Sequence, residues 1–240
     1  MRNAIAPLSL LAASIIAFGG CDSRVETNQP SRAAAAVSEP NVRYQVDAAH
    51  GRIWWLTREG VFLHDASSPR RLAVPIPGWQ WADLAYACLP ALALGPKGEA
   101  LVTSNVLPTV WKIDPETLAV SQHPLALDAD EDKDVGFSGL AYSSEHGAFF
   151  AVSELHGSLW RIDPDLTRAQ KIAVRAPMRT ACGLAVRTTQ KANGVSSLCV
   201  RGRDGDWTVY LEADRRSAYV RAAPCTDLPW LLSQVTLRSE

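Results

Sequence analysis

The hexapeptide Leu159-Trp160-Arg161-Ile162-Asp163-Pro164 repeats the pattern of Val110-Trp111-Lys112-Ile113-Asp114-Pro115, 49 residues earlier. One period further back the chain reads Val61-Phe62-Leu63-His64-Asp65, and one period further on it reads Thr208-Val209-Tyr210-Leu211-Glu212. An acidic residue thus closes a short aromatic or branched run at Asp65, Asp114, Asp163 and Glu212. A fixed period of this length means that one supersecondary unit has been stacked several times, because no single unit buries its own apolar face.

Between the repeats, short β-rich runs alternate with turn signals. The first unit predicts strands at 42–47, 52–57, 60–66 and 70–75, and the second at 91–95, 99–104, 109–114 and 119–125. The third predicts them at 137–143, 148–154, 158–163 and 169–175, and the fourth at 182–189, 196–202, 207–214 and 218–222. His50-Gly51, Lys97-Gly98 and His146-Gly147 put Gly in the first hairpin, where a positive φ is wanted. Asp114-Pro115 and Asp163-Pro164 fit positions i and i+1 of type I turns. Ala148-Phe149-Phe150-Ala151-Val152 is a continuous apolar run, as in a strand covered on both faces. These features predict an all-β chain, a small β-propeller of four blades. Four units of 49 fill nearly all of the 199 residues from Val42 to Glu240 and leave no room for a fifth. An antiparallel sandwich is the rival architecture, but it requires no such period. Completion of the ring by a second subunit stays open. The apolar segment 228–237 is a candidate closing strand against the first blade.

The segment ahead of the repeats has another character. Arg2 followed by an apolar run from Ile5 to Ala17 reads as a signal peptide over 1–20. Phe18-Gly19-Gly20-Cys21 resembles a bacterial lipobox, which implies lipidation of Cys21, for which palmitate-type acyl chains are the expected anchor. Residues 21–41 read as the lipidated cysteine and a flexible polar tether, and 42–240 as the folded domain. Asp22 resembles an inner-membrane retention signal. The expected location is therefore the cell envelope, lipid-anchored and facing the periplasm.

Gly139-Leu140-Ala141-Tyr142, Ala151-Val152-Ser153-Glu154 and the Trp160 hexapeptide resemble a blade of the NHL, gluconolactonase-like or SdiA-regulated propellers. That resemblance specifies strands and turns and leaves activity open. The gluconolactonase-like enzymes it implies hold a divalent metal in the channel, and Asn105 and Glu154 stand in fitting loops, with Glu59 in the shorter loop of the first blade. Glu154 and His156 are the candidate base and orienting group for such a hydrolase. Asp128, Asp130, Asp132 and Asp134 alternate like the opening of a calcium loop, but Lys133 replaces its turn glycine and Gly139 its bidentate Glu. No GxSxG, HExxH or CxxC motif is present.

Trp111 and Trp160, fixed to the repeat, read as packing residues. Trp79, Trp81, Glu154, His156 and Arg179 are expected to share the loop-bearing face, as partner or ligand contacts. Net charge of −1 gives no basic excess for nucleic acid. Beyond Cys21 there are Cys88, Cys182, Cys199 and Cys225, which in an exported domain allow two disulfides in three connectivities, or four free thiols. Cys182 with Cys225 is the pair expected to clamp the last blade. The leading functional reading is a binding or scaffold lipoprotein for an envelope protein or small ligand, with no cofactor. A metal-dependent lactonase, using calcium or another divalent ion, is the alternative.

Overall fold

A computed structural model of the chain describes residues 42–68, 70–82, 88–128, 136–187, 197–214 and 216–225. Cys21 and its signal, the tether, Asp130, Asp132, Asp134 and the 228–237 segment lie outside the described residues. No residue among those described is helical.

The described residues form four antiparallel meanders, each made of four consecutive strands. The first holds β1 (Arg43–Asp47), β2 (Arg52–Thr57), β3 (Gly60–Asp65) and β4 (Arg71–Val74). The second holds β5 (Leu92–Leu94), β6 (Ala100–Thr103), β7 (Thr109–Ile113) and β8 (Val120–Pro124). After the short β9 (Ala126–Leu127), the third holds β10 (Gly139–Ser143), β11 (Ala148–Val152), β12 (Leu159–Ile162) and β13 (Arg168–Val174). The fourth holds β14 (Ala181–Arg187), β15 (Ser197–Gly202), β16 (Asp206–Leu211) and β17 (Ser217–Ala222). Strand ends fall within two residues of the sequence expectation, except that β16 ends three residues early.

Local chemistry explains the hairpins. Gly51, Gly98 and Gly147 have φ of 62°, 81° and 56°, the left-handed region that only Gly enters without Cβ strain. At the next corner the acidic side chain does the work. Asp114 accepts the N–H groups of Glu116 at 3.0 Å and Thr117 at 2.8 Å, and Asp65 accepts that of Ser67 at 2.8 Å. In the last unit this role passes from Glu212, the residue at the repeat period, to Asp214, which accepts the N–H groups of Arg216 and Ser217. The hairpin itself keeps its place, since the Glu212 N–H donates to Ser217 O as the Asp114 N–H does to Ala119 O; only the accepting side chain has changed.

The innermost strands β1, β5, β10 and β14 gather at the centre, and three apolar layers separate the meanders. Trp54, Leu56, Leu63 and Leu92 lie between the first and second. Leu101, Val110, Phe137, Phe149 and Trp160 lie between the second and third. Phe150, Leu159, Leu198 and Val209 lie between the third and fourth. Trp111 and Trp160 are fully buried, and the Trp160 ring meets Phe137 edge-on at 6.3 Å between centroids. Among the described residues, no apolar layer of this kind joins the fourth meander to the first. The outer strands β13 and β17 pair in parallel, and β9 pairs with β13 as well. Two residues carry no readable period, which is why β9 leaves no signal in the sequence.

Candidate functional site at the ring centre

Arg43 opens β1 and reaches into the centre. Its Nη2 donates to the carbonyls of Leu89 and Ser138, both at 2.9 Å, and of Cys182. These three carbonyls stand at or just before the innermost strands of the other three meanders, so one guanidinium touches all three. Burial pushes Arg43 down to about 10 while Glu154 pulls it back up, and the group is charged at neutral pH. Nothing in the sequence marks this residue beyond a charge at the head of an inner strand, where the other units place Leu89, Ser138 and Cys182.

Glu154 follows β11. Its Oε2 accepts the Cys88 N–H at 3.0 Å, and its Oε1 lies 3.6 Å from Nη2 of Arg203. The Glu154 side chain is 9 % exposed and that of Arg203 is 52 % exposed, so the carboxylate is the buried member and the arginine its solvent cover. Asn105 holds the carbonyl of the same residue: its Nδ2 donates to Cys88 O at 3.3 Å and to Ala82 O at 2.7 Å, and its Oδ1 accepts the Ala82 N–H at 2.9 Å. The two residues expected to share a metal are indeed brought together, as a clamp on the backbone of Cys88. Asn105 is itself pinned, since any Cβ on Gly136 would overlap its backbone.

Cys88 bonds to Cys182, with Cα atoms 5.1 Å apart and a sequence separation of 94. Cys199 bonds to Cys225, with Cα atoms 6.0 Å apart. The expected Cys182–Cys225 clamp is therefore wrong. Cys182 heads an innermost strand and faces the centre, whereas Cys225 is held beside β15 and β16, its N–H on Asp206 Oδ2 at 3.0 Å and its sulfur 3.8 Å from Val200 O. Proximity to the axis decides the pairing, and spacing along the chain does not show it.

The other expected residues distribute as follows. Of the calcium-loop positions, Asp128 and Gly139 are described: the exposed Asp128 accepts the N–H of Lys171 on β13, an outermost strand, and Gly139 opens β10 against the β14 backbone. His156 is half-buried in the β11–β12 hairpin, and Arg179 is exposed on the segment that crosses over Gly157. That crossing requires Gly157, with φ of 61°, because a Cβ there would meet Met178 and Arg179 backbone atoms at 2.6–2.7 Å. Trp79 and Trp81 are half-buried and stacked at 6.0 Å, and Trp79 Nε1 donates to Thr103 O at 2.8 Å. Beside them a shallow depression of about 210 Å³ is lined by Glu59, Phe62, Pro75, Ile76 and Trp79.

No protein-family model matches the chain, and no curated protein does. Solved structures do match. An auxiliary nutrient binding protein from Bacteroides thetaiotaomicron is 10% identical with a TM-score of 0.52, over 77% of this chain and 42% of that one. Another from Bacteroides ovatus is 13% identical with a TM-score of 0.51, over 75% and 46%. The GH74 xyloglucanase from Xanthomonas campestris is 13% identical with a TM-score of 0.51, over 74% and 29%. This chain thus spans less than half the length of each of the three. Such likeness identifies the fold as β-propeller-like and carries nothing further.

Proposed function

We propose that the chain is a binding module of the bacterial cell envelope, a four-bladed propeller tethered through a lipid on Cys21. Its loop-bearing rim engages another periplasmic protein, with a small ligand as the alternative occupant. The observation that carries this reading is the stacked Trp79–Trp81 pair beside the shallow depression lined by Glu59 and Phe62. Tryptophans flanking an open hollow are the usual anchors of a protein contact, where a protruding side chain of the partner is desolvated. The centre itself is occupied by Arg43 and the Cys88–Cys182 bond, which favours the rim over the channel as the contact. Both polar atoms of the Asn105 side chain are committed to the backbone of Ala82 and Cys88, and this weighs against the lactonase reading.

Affinity purification of the lipidated protein from membranes, crosslinked before lysis, tests the proposal. The expected result is a stoichiometric partner that Trp81→Ala loses by about 2 kcal/mol, roughly 30-fold in Kd. Trp81 is the informative position, because Trp79 also supports Thr103. Retention of the partner by Trp81→Ala would move the contact off this rim, and recovery of a metabolite alone would favour the small ligand. Cys21→Ala should release the protein from the membrane fraction. Unchanged fractionation would remove the lipid anchor.

A further inference from the structure

Cys88 Sγ, Cys182 Sγ and a carboxylate oxygen of Glu154 all lie within 4.8 Å of one another. No other group of three metal-type donors occurs among the described residues. In the oxidised chain the two sulfurs are bonded to each other and are not ligands. We propose that reduction of this disulfide creates a binding site for a borderline-soft divalent cation, zinc by preference, held by the two thiolates and Glu154. The inference does not depend on the binding role proposed above.

The chemistry balances without an unnamed reactant. A dithiol attacks the disulfide, most accessibly at Cys182, which is half-buried where Cys88 is 4 % exposed. The dithiol leaves as its own disulfide, and Cys88 and Cys182 become thiols. Zinc then displaces their two protons, forming two Zn–S bonds and one Zn–O bond, with water in the fourth position. Bonds of about 2.3 Å set tetrahedral sulfurs roughly 3.8 Å apart, within reach of cysteines whose Cα atoms lie 5.1 Å apart. Two thiolates select against calcium and magnesium, which take oxygen ligands.

The surroundings suit the charge. Two thiolates and a carboxylate around Zn²⁺ leave one net negative charge, and the Arg43 guanidinium lies against the Cys182 carbonyl to offset it. The same cation favours the thiolates over the thiols. Glu154 is already oriented by the Cys88 N–H, so the carboxylate has little freedom to lose. Half-exposed Arg203 is the side chain that must move to admit the ion.

The test uses the full chain, oxidised or reduced with a phosphine, and titrated with Co²⁺ and Zn²⁺. Oxidised protein is expected to bind neither. Reduced protein is expected to bind one equivalent, with the thiolate-to-cobalt charge-transfer band and tetrahedral d–d absorption. Cys88→Ser is expected to abolish the band, and Glu154→Gln to weaken binding by at least the roughly 10–100-fold that loss of an outer-shell partner costs. The double variant Cys199→Ser/Cys225→Ser is expected to keep the full signal. Circular dichroism of each variant separates loss of ligand from loss of fold. The proposal is overturned if the reduced, folded chain takes up no metal, if the band follows Cys199 and Cys225, or if the reduced chain unfolds even with zinc present.

Discussion

Phe62, Trp111, Trp160 and Val209 occupy one position of the repeat, and their fates differ. Trp111, Trp160 and Val209 are fully buried, Trp160 between the second and third meanders and Val209 between the third and fourth. Phe62 faces away from the second meander, is only half-buried, and is covered by the Arg71 guanidinium 4.5 Å from its ring centroid. The difference lies in what stands opposite. Three meander junctions are filled with apolar side chains, while the fourth, between the last meander and the first, is tied at its inner end by Arg43 to Cys182. A repeat sequence therefore specifies each junction alike, yet among the described residues the last meander is joined to the first by polar groups at the centre.

Four experiments press on that contrast. The largest effect is expected from Cys88→Ala/Cys182→Ala, since the bond spans a sequence separation of 94 and should contribute about 4–5 kcal/mol by chain entropy. Denaturant unfolding measures the loss, and hydrogen exchange should show β1 and β14 opening before β10 and β11. Equal opening everywhere would remove the distinction between the junctions. Next, Trp160→Ala should cost about 3–5 kcal/mol and Phe62→Ala only about 1–2 kcal/mol, because only the first leaves a closed cavity. Equal costs would mean that the fourth junction is as well packed as the others.

In the third experiment, Arg43→Met keeps the apolar stem and removes the donors. Leaving carbonyls of Leu89, Ser138 and Cys182 unpaired should cost about 2–3 kcal/mol at neutral pH. A value near zero would make Arg43 a passive filler. The smallest effect is expected from acid. Hydrogen bonds hold Asp65, Asp114 and Asp214 below their ordinary value, with Ser67, Thr117 and Arg216 the respective first partners. A carboxyl depressed by folding contributes stability that is present above the unfolded value of 3.8 and is lost as pH falls through the folded one. A shallow decline below about pH 4 is therefore expected, and Asp114→Asn should flatten part of it. These carboxyls belong to the turns of the first, second and fourth meanders, so acid is expected to act on three of the four without singling out one junction.

Most of the strand pattern was legible because its causes are local. Gly at hairpin corners, Asp at turn starts and apolar runs such as 148–152 each act within a few residues. The centre was less legible because its causes are long-range. Glu154 and Asn105 stood out as polar residues in hairpin loops, but their shared target, the backbone of Cys88, appears only when residues 49 positions apart converge on it. Arg43 gave no sign at all, since its partners lie 46, 95 and 139 residues away. The cysteine pairing failed for the same reason: position relative to the axis, which no spacing encodes, selects Cys88 for Cys182.

The parallel pairing of β13 with β17 bears on how such molecules behave when crowded together. Outer strands are open templates for adding a strand from another copy, the first step of edge-to-edge polymerisation. Here two of the four outer strands blunt each other. The remaining two, β4 and β8, are four and five residues long. Arg71 opens the first, and Pro124, which has no N–H to offer, ends the second. Substituting Pro124→Val and Arg71→Val would give both outer strands an uninterrupted register, and concentration-dependent fibre formation by that double variant is the behaviour the native edges suppress.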